Sequence, residues 1–149
     1  MDNEQMKPRI IGASRLVAKY LDHSAPCDVT CTYHPYSPCP SVFMDITNPN
    51  GMRPVFETYK ADVVICCAAE GDVDAVEEQY KDTDGSVLAG TQAYNINVEG
   101  IRNVATLCRE YSAKLVFLST NAVFYGDSAP YSEKDERRAI NKYGEIKIL

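Results

Sequence analysis

The chain has 149 residues, of which 45% are hydrophobic and 24% are charged, and its formal net charge is −6. This length and composition predict one globular domain with a sizeable core. The acidic balance argues against nucleic acid as the main partner. The longest apolar run, 63–69, is too short for a membrane span, and the first residues lack the apolar segment of a signal peptide. We therefore expect a cytoplasmic protein with no membrane partner.

Predicted strands and helices alternate along the first half of the chain. Residues 61–69 are almost entirely apolar and rich in β-branched side chains, which is typical of a strand buried on both faces of a parallel sheet. The Pro-rich sequence after residue 33 indicates a loop, and TNPNG at 47–51 indicates a turn. The predicted strands are 9–11, 27–33, 41–46 and 61–69, and the predicted helices are 14–21 and 52–59.

The second half of the chain continues this alternation. A polar stretch at 71–92, with a helical pattern near 73–80, leads into a helix that the apolar spacing predicts over 93–112. The apolar segment 114–120 predicts another buried strand, followed by a loop to Asn141. Alternating strands and helices imply an α/β fold of the Rossmann-like, doubly wound type, with a parallel sheet in the order 3-2-1-4-5 and one domain over 1–149.

Six cysteines are present, without a C-x-x-C pair, and we expect them to be reduced thiols. Five Cys and His side chains near the second predicted strand could in principle hold zinc. Their spacing fits no zinc-finger pattern, and one of them falls inside that strand. We therefore expect no bound metal from this group, which comprises His23, Cys27, Cys31, His34 and Cys39.

The turn after the first predicted strand reads GASRLVA, from Gly12 to Ala18. In doubly wound folds this turn meets the pyrophosphate of a dinucleotide, and glycines spaced G-x-x-G-x-x-G let the backbone approach the phosphates. Only Gly12 follows this pattern. Ala18 is a mild change at a helix-packing position, whereas Arg15 fills space beside the phosphates, although its guanidinium could also contact them. We predict weak dinucleotide binding that becomes tighter in Arg15→Gly.

Four motifs follow one another downstream of this turn. They are CCAAEGDVDAVEEQ at 66–79, NINVEGIRNV at 95–104, LVFLSTNAVFYG at 115–126, and Y-x-x-x-K formed by Tyr143 and Lys147. In this order they resemble the extended short-chain dehydrogenase/reductase family, and most closely its dTDP-4-dehydrorhamnose reductase branch. That branch also contains the regulatory β subunit of methionine adenosyltransferase. The resemblance runs from Arg9 to Lys147.

The resemblance implies a catalytic role for three residues. Tyr143 would be the general acid that protonates the substrate carbonyl. Lys147 would lower the pKa of Tyr143 through its charge and bind the nicotinamide ribose. Thr120 would hydrogen-bond the same carbonyl oxygen, with Ser119 as an alternative. A surface helix with an incidental tyrosine–lysine pair is the other interpretation of the i, i+4 spacing.

The resemblance also implies a set of contacts to the cofactor. No carboxylate follows the second predicted strand to hold a ribose 2′-hydroxyl, and His34 lies there instead, which favours NADP(H) over NAD(H). Asn97 matches a family asparagine that supports the helix and a proton-relay water. The residues expected at the cofactor are Gly12, Ser14, Arg15, Leu16, His34, Ala68, Ala69, Asn97, Ser119 and Lys147.

An acidic block lies between Asp62 and Asp84, and we interpret it mainly as a solvated loop and helix face. The family loop after the fourth strand lies near the active site. By resemblance, Glu70, Asp72 and Asp74 could therefore contact substrate or a magnesium ion, and the alternative is that they are solvated loop charges.

Two functions from different classes fit the sequence. The first is an NADP(H)-dependent reductase of dTDP-4-keto-6-deoxy sugars, which the set of Thr120, Tyr143 and Lys147 favours. The second is a non-catalytic regulatory subunit of the methionine adenosyltransferase type, which Arg15 and the CAAE sequence at 67–70 favour. The family places its substrate-binding portion after the lysine, so we expect a fragment or truncated product that does not reduce sugar alone. An uncovered sheet edge would then favour a protein partner or self-association.

Overall fold

A parallel sheet of five strands organises the computed structural model, which describes residues 6–12, 16–24, 30–33, 42–81 and 89–149. All four strand pairings are parallel, and the strand order is 3-2-1-4-5, which confirms the predicted α/β fold and order. The strands are β1 (Pro8–Ile11), β2 (Thr30–Tyr33), β3 (Val42–Phe43), β4 (Val63–Cys66) and β5 (Lys114–Phe117).

Helices connect these strands and follow the last one. They are α1 (Leu16–Ser24), α2 (Pro49–Tyr59), α3 (Val73–Glu78), α4 (Gln92–Tyr94), α5 (Ile101–Glu110) and α6 (Lys142–Ile148). A π-helical stretch (Asn95–Gly100) joins α4 to α5, and a 3₁₀ turn (Asn121–Val123) follows β5. None of the described helices is long and apolar enough to cross a membrane.

The chain divides into two compact units. The first, here called the sheet unit, comprises Met1–Ala68 and Gly100–Leu118 and contains the five strands with α1, α2 and α5. The second, here called the helical unit, comprises Ala69–Glu99 and Ser119–Leu149 and contains α3, α4, the 3₁₀ turn and α6. The sequence predicted one domain and gave no sign of this division.

Side chains of the central strands β1 and β4 form much of the core of the sheet unit. In β1, Ile10 is buried in a cluster with Ala18 of α1 and Cys67. In β4, Val64 and Cys66 are buried, whereas Val63 and Ile65 are half-buried. The prediction that 61–69 is a strand buried on both faces was therefore wrong in part, because the strand covers only Val63–Cys66 and the residues of one face are only half-buried.

The prediction of a buried strand at 114–120 was wrong in both length and burial. β5 covers only Lys114–Phe117, and three of its four residues are exposed, with Val116 at 38% and Phe117 at 37%. Within the part of the chain that the structure describes, β5 pairs with β4 alone. An apolar sequence thus occupies an edge position, where one side of the strand has no neighbouring strand to cover it.

The segment 41–46 forms a shorter strand than its alternating pattern predicted. Strand β3 ends at Phe43, and the Asp45 carboxylate accepts hydrogen bonds from the Thr47 backbone N–H (2.8 Å) and hydroxyl (2.7 Å). This side-chain turn diverts the backbone from the sheet. Helix α2 then begins at Pro49, earlier than predicted, because the Asn48 side chain caps it by accepting from Gly51 N–H at 3.1 Å.

The helix predicted over 93–112 is present but is not uniform. The π-helical stretch interrupts it. Within that stretch Val98 is buried, although the predicted stripe did not include it, and Ala105 of α5 is exposed, although the stripe did include it. Val104, Leu107 and Cys108 are buried as predicted.

Arg9 is the one charged side chain buried in β1. Only 2% of it is exposed, its guanidinium carbon lies 4.2 Å from the centre of the Tyr59 ring, and its Nη1 donates to the Val55 carbonyl at 3.4 Å. Burial lowers the pKa of this guanidinium. The partner groups lie in the last turns of α2, where the helix dipole also favours a cation. Sequence analysis assigned Arg9 no role beyond its place in the first predicted strand.

Candidate active site

Gly12 and Ala68 follow the carboxyl ends of β1 and β4, the two neighbouring strands at which the strand order reverses. In doubly wound sheets this position is where ligands bind. Gly12 has a φ of +86°, and a Cβ added to it would lie 2.6 Å from the Ala68 nitrogen and 2.8 Å from the Ala68 Cα. Glycine is therefore required here for two reasons, namely its backbone conformation and its close approach to the chain after β4.

The structure describes only part of the turn between Gly12 and Ala18 that we predict to bind the dinucleotide. Ser14 and Arg15 lie outside the described residues, as does His34, so their predicted contacts stay predictions. Leu16 is the first residue of α1 and is 70% exposed. Ala18 is fully buried against Ile10 and Cys67, which confirms that this position serves helix packing.

These residues fit a dinucleotide as far as the structure describes them. A strand that ends in a positive-φ glycine and is followed by a helix is the geometry in which backbone groups can approach a pyrophosphate. Ala68, which follows β4 beside that turn, is half-buried. The free thiol of Cys67 lies next in the chain to Ala68, and burial raises its pKa, so it is protonated at neutral pH.

Helix α6 carries Tyr143 and Lys147 in the helical unit. Asn141 caps the helix, because its side chain accepts a hydrogen bond from Gly144 N–H at 2.8 Å. The helix packs against the 3₁₀ turn, α3 and α4. Residues four apart lie on the same face of a helix, so the phenol and the ammonium project from one side of α6.

The burial of Lys147 argues against the interpretation as an incidental pair on a surface helix. Lys147 is only 9% exposed, and lysines are almost never buried unless their charge has a partner. Tyr143 is half-buried and packs against a cluster formed by Val76, Tyr80, Ala93, Val98 and Ile146. Helix α6 extends through Lys147 to Ile148, and its residue Ile146 is buried in the same cluster.

Thr120 and Ser119 lie just after β5, at the start of the 3₁₀ turn. The Thr120 Oγ1 accepts a hydrogen bond from Ala122 N–H at 3.2 Å, which leaves its hydroxyl hydrogen able to donate to a carbonyl oxygen. Ser119 is exposed, and Thr120 is half-buried. The 3₁₀ turn and α6 approach closely at Gly144, where an added Cβ would collide with the Ala122 carbonyl oxygen and lie 2.8 Å from the Ala139 Cβ.

An open cleft of about 750 Å³ adjoins Thr120 within the helical unit. One wall consists of residues around the 3₁₀ turn, and the other is the charged segment 133–137. The cleft is therefore lined by groups that can hydrogen-bond a polar ligand. Its lining residues are Ser119, Thr120, Asn121, Val123, Phe124, Glu133, Lys134, Asp135, Glu136 and Arg137.

Asn97 lies in the π-helical stretch and is buried, with 4% of its surface exposed. Its side-chain oxygen accepts from Glu70 N–H at 3.0 Å, and its amide nitrogen donates to the Glu70 carbonyl at 2.9 Å. The asparagine thus holds the loop that follows β4, where the half-buried Ala69 is located. Its predicted role in supporting a helix and a proton-relay water stays a prediction.

The acidic block has a structural role that its composition did not indicate. The Asp72 carboxylate caps α3 by accepting from Ala75 N–H at 3.1 Å, and Asp74 lies in the first turn of that helix. The Glu77 carboxylate accepts from Lys142 N–H at 2.5 Å, at the start of α6. Among the described residues, no group of three or more His, Cys, Asp or Glu side chains could hold a metal ion.

Sequence reasoning did not single out Glu77, Asn141 or Gly144 as parts of the site. The Asn–Lys–Tyr–Gly sequence at 141–144 does contain a signal for the cap, since asparagine is a preferred N-cap residue. The contact of Glu77 joins residues 65 positions apart, and no local pattern could have indicated it.

Comparison with known proteins identifies relatives over almost the whole chain. The family described as RmlD substrate binding domain matches residues 9–149. Methionine adenosyltransferase 2 subunit beta of Danio rerio is 30% identical over 105 residues, which cover 70% of this chain and 28% of that protein. A dTDP-4-keto-6-deoxy-D-glucose reductase of Streptomyces niveus is 33% identical over 108 residues, which cover 70% of this chain and 33% of that protein.

Solved structures give the same result for the fold. The crystal structure of dTDP-4-dehydrorhamnose reductase from Bacillus anthracis in complex with NADP matches with a TM-score of 0.80 and 29% identity. The match covers 99% of this chain and 48% of that chain. The chain therefore spans about half the length of that structure and about a third of the curated relatives.

Proposed function

Since the chain belongs to the RmlD substrate binding domain family, in the dTDP-4-dehydrorhamnose reductase-like branch of the extended short-chain dehydrogenases/reductases, we propose that it binds a nicotinamide dinucleotide. We further propose that its site residues serve in the reduction of a keto group on a nucleotide-activated sugar, with NADPH as the hydride donor. The relatives that support this function are the reductases of Streptomyces niveus and Bacillus anthracis.

The observation that carries this proposal is the burial of Lys147 on the same helix as Tyr143. A lysine that is 9% exposed costs free energy that an incidental surface pair would not require. Gly144 and the cap at Asn141 fix the helix next to the 3₁₀ turn that Thr120 begins. Such an arrangement is expected where a phenol and an ammonium must keep a fixed geometry for proton transfer.

In the proposed reaction each residue has a separate task. Tyr143 donates a proton to the carbonyl oxygen of the substrate, and the Thr120 hydroxyl donates a hydrogen bond to the same oxygen. Lys147 stabilises the phenolate that remains and binds the ribose next to the nicotinamide. The cofactor, when bound, supplies the hydride. Polar side chains of the cleft beside Thr120 are the candidates for contacts to the hydroxyl groups of the sugar.

The dinucleotide is assigned to the switch point of the sheet unit. Gly12 and Ala68 would contact the pyrophosphate and adenosine side, together with Ser14, Arg15, Leu16 and Ala69. His34 favours NADP(H) because no carboxylate near it would repel a 2′-phosphate. These assignments rest on the sequence resemblance and on the positions of Gly12 and Ala68.

Calorimetric titration with NADPH and NADH tests the binding part of the proposal. We expect saturable binding of one dinucleotide per chain, with NADPH bound more tightly than NADH. Arg15→Gly should bind NADPH more tightly than the wild type. A weaker complex in Arg15→Gly would show that Arg15 is a phosphate ligand, and the absence of binding by a folded chain would contradict the proposal.

A regulatory subunit is the second candidate function, which the similarity to methionine adenosyltransferase 2 subunit beta favours. In that case the nucleotide fold would serve to bind a catalytic methionine adenosyltransferase subunit. Sedimentation of the chain with and without a purified catalytic subunit tests this directly. A stable complex that survives Tyr143→Phe favours the regulatory function, because a binding role does not need the phenol hydroxyl.

A further inference from the structure

The geometry of the helical unit points to Glu77 as a positioning residue for Tyr143. We infer that this carboxylate, on the acidic helix α3, fixes the start of α6 and so holds the phenol of Tyr143 in the orientation required for proton transfer. This inference deepens the proposed function and rests on it, since it assumes that Tyr143 is the general acid.

The contact joins two elements that are far apart in the sequence. The Glu77 Oε1 accepts a hydrogen bond from Lys142 N–H at 2.5 Å, and Lys142 is the first residue of α6 and the neighbour of Tyr143. A carboxylate that accepts from a backbone N–H forms a charge-assisted hydrogen bond, which is stronger than a neutral one. Its negative charge also lies at the positive end of the helix dipole.

Helix α6 needs such an anchor because it has only seven residues. Isolated helices of that length are not stable in water, so their order comes from caps and tertiary packing. Asn141 satisfies Gly144 N–H, and Glu77 satisfies Lys142 N–H, so two of the first-turn donors depend on two different side chains. Losing either should therefore loosen the turn that contains Tyr143.

Helix α3 contributes a second contact to the same region. Val76, the residue before Glu77, is fully buried in the cluster that also contains Ile146 of α6 and against which Tyr143 packs. One turn of α3 therefore provides both apolar packing below α6 and a hydrogen bond at its start. The acidic helix supports the proposed general acid, and this role differs from that of a solvated charged face.

Three variants of the 149-residue chain separate this role from general effects on α3. Glu77→Ala removes the acceptor and the charge, whereas Glu77→Gln removes the charge but keeps an acceptor oxygen. Glu78→Ala is the matched control, because Glu78 is the next residue on the same helix and instead pairs with Lys81. The first measurement is amide hydrogen exchange by NMR. The second is the pH titration of the Tyr143 ring signal, assigned by its loss in Tyr143→Phe.

We expect exchange of the α6 amides to become about tenfold faster in Glu77→Ala, to recover in part in Glu77→Gln, which keeps the acceptor but not the charge, and to stay at the wild-type rate in Glu78→Ala. The titration midpoint of Tyr143 in Glu77→Ala should differ from the midpoint in Glu77→Gln. Because both variants lack the same charge, that difference reports position and not charge.

Equal exchange rates in Glu77→Ala and Glu78→Ala would overturn the inference, and so would identical Tyr143 midpoints in Glu77→Ala and Glu77→Gln. Neither readout requires turnover or a bound cofactor. A chain that shows the expected pattern but binds no NADPH would therefore contradict the proposed function and leave the role of Glu77 intact.

Discussion

Different kinds of hydrogen bond stabilise the sheet unit and the helical unit internally. In the sheet unit, main-chain ladders join β1 to β2 and β4, with Ile10 opposite Cys31 and Ile65. In the helical unit, single side chains bond to the backbone of short helices. Asp72 caps α3, Thr91 caps α4 and Asn141 caps α6.

This difference predicts how each unit responds to substitution. A ladder distributes its free energy over many backbone groups, so single side chains affect it mainly through packing. A capped short helix depends on a few side-chain acceptors, each worth about 1 kcal/mol, so one substitution can loosen it. We therefore expect global losses from changes in the sheet unit and local losses from changes in the helical unit.

Gly12→Ala should have the largest effect on stability, because Gly12 lies in very close contact with the backbone of the sheet unit. The new Cβ would meet the Ala68 backbone, and the positive φ adds strain, for a loss of about 3 kcal/mol of unfolding free energy. Gly126→Ala is the matched control: φ there is +96°, but a Cβ would meet no atom within 4 Å. It should cost about 1 kcal/mol. Equal losses in urea denaturation would show that conformation alone, without the collision, requires glycine at position 12.

Gly144→Ala should destabilise the helical unit, although helix propensity alone predicts that alanine stabilises a helix. Propensity alone favours alanine by about 1 kcal/mol inside a helix. The collision with the Ala122 carbonyl and with Ala139 should instead destabilise α6 by about 2 kcal/mol. Amide exchange of α6 measures this loss, with the β4 amides as an internal reference. Slower exchange in α6 would mean that α6 and the 3₁₀ turn are not closely packed.

Each unit contains a helix with an asparagine N-cap, and these two caps allow a matched comparison of substitutions. Asn48 caps the eleven-residue α2 in the sheet unit, and Asn141 caps the seven-residue α6 in the helical unit. Each accepts from a glycine N–H three residues later, at 3.1 and 2.8 Å respectively. Replacing either with alanine should cost about 1 kcal/mol. Asn48→Ala should lower the global stability, whereas Asn141→Ala should increase exchange only in α6. A uniform increase over both units would contradict the distinction.

The smallest effect that we predict is a pH dependence of the sheet unit. Burial raises the pKa of Cys108 to about 11 from an ordinary value of 9.0. Below pH 9 both states keep the proton, and above it the unfolded chain ionises first, so stability falls as the pH rises towards 11. The loss should reach about 0.8 kcal/mol at pH 9.5. Cys108→Ala should lose stability at every pH through its cavity, but with a shallower slope above pH 9. An unchanged slope would contradict a protonated Cys108 in the folded state.

Much of the sheet unit could be predicted from sequence, because its strands have a repeating pattern. The strand order, the turn at Gly12 and the packing role of Ala18 follow from alternating elements and glycine spacing. The sequence-based predictions were wrong where the position of a strand within the sheet decides whether its side chains are buried. The apolar sequence of β5 reads as a core strand, yet its edge position leaves Val116 and Phe117 exposed.

The helical unit could be predicted only in part. The Y-x-x-x-K spacing identified α6, but no local pattern indicated that Lys147 would be buried or that α6 would pack against α3 and α4. The contact between Glu77 and Lys142 was likewise not indicated by a local pattern. The π-helical stretch around Asn97 also has no sequence signature, and Val98 within it is buried outside the predicted apolar stripe.

The most direct test of the proposed function is the response of the Tyr143 ring signal to bound NADPH. The chain is labelled with ¹³C in its tyrosine rings, and Tyr143 is assigned by the signal that Tyr143→Phe lacks. We predict that saturating NADPH shifts this signal, and that 2′-phospho-ADP-ribose, which lacks the nicotinamide, binds without shifting it to the same extent. An unchanged Tyr143 signal at saturating NADPH would contradict the assignment of Tyr143 as the general acid beside the cofactor.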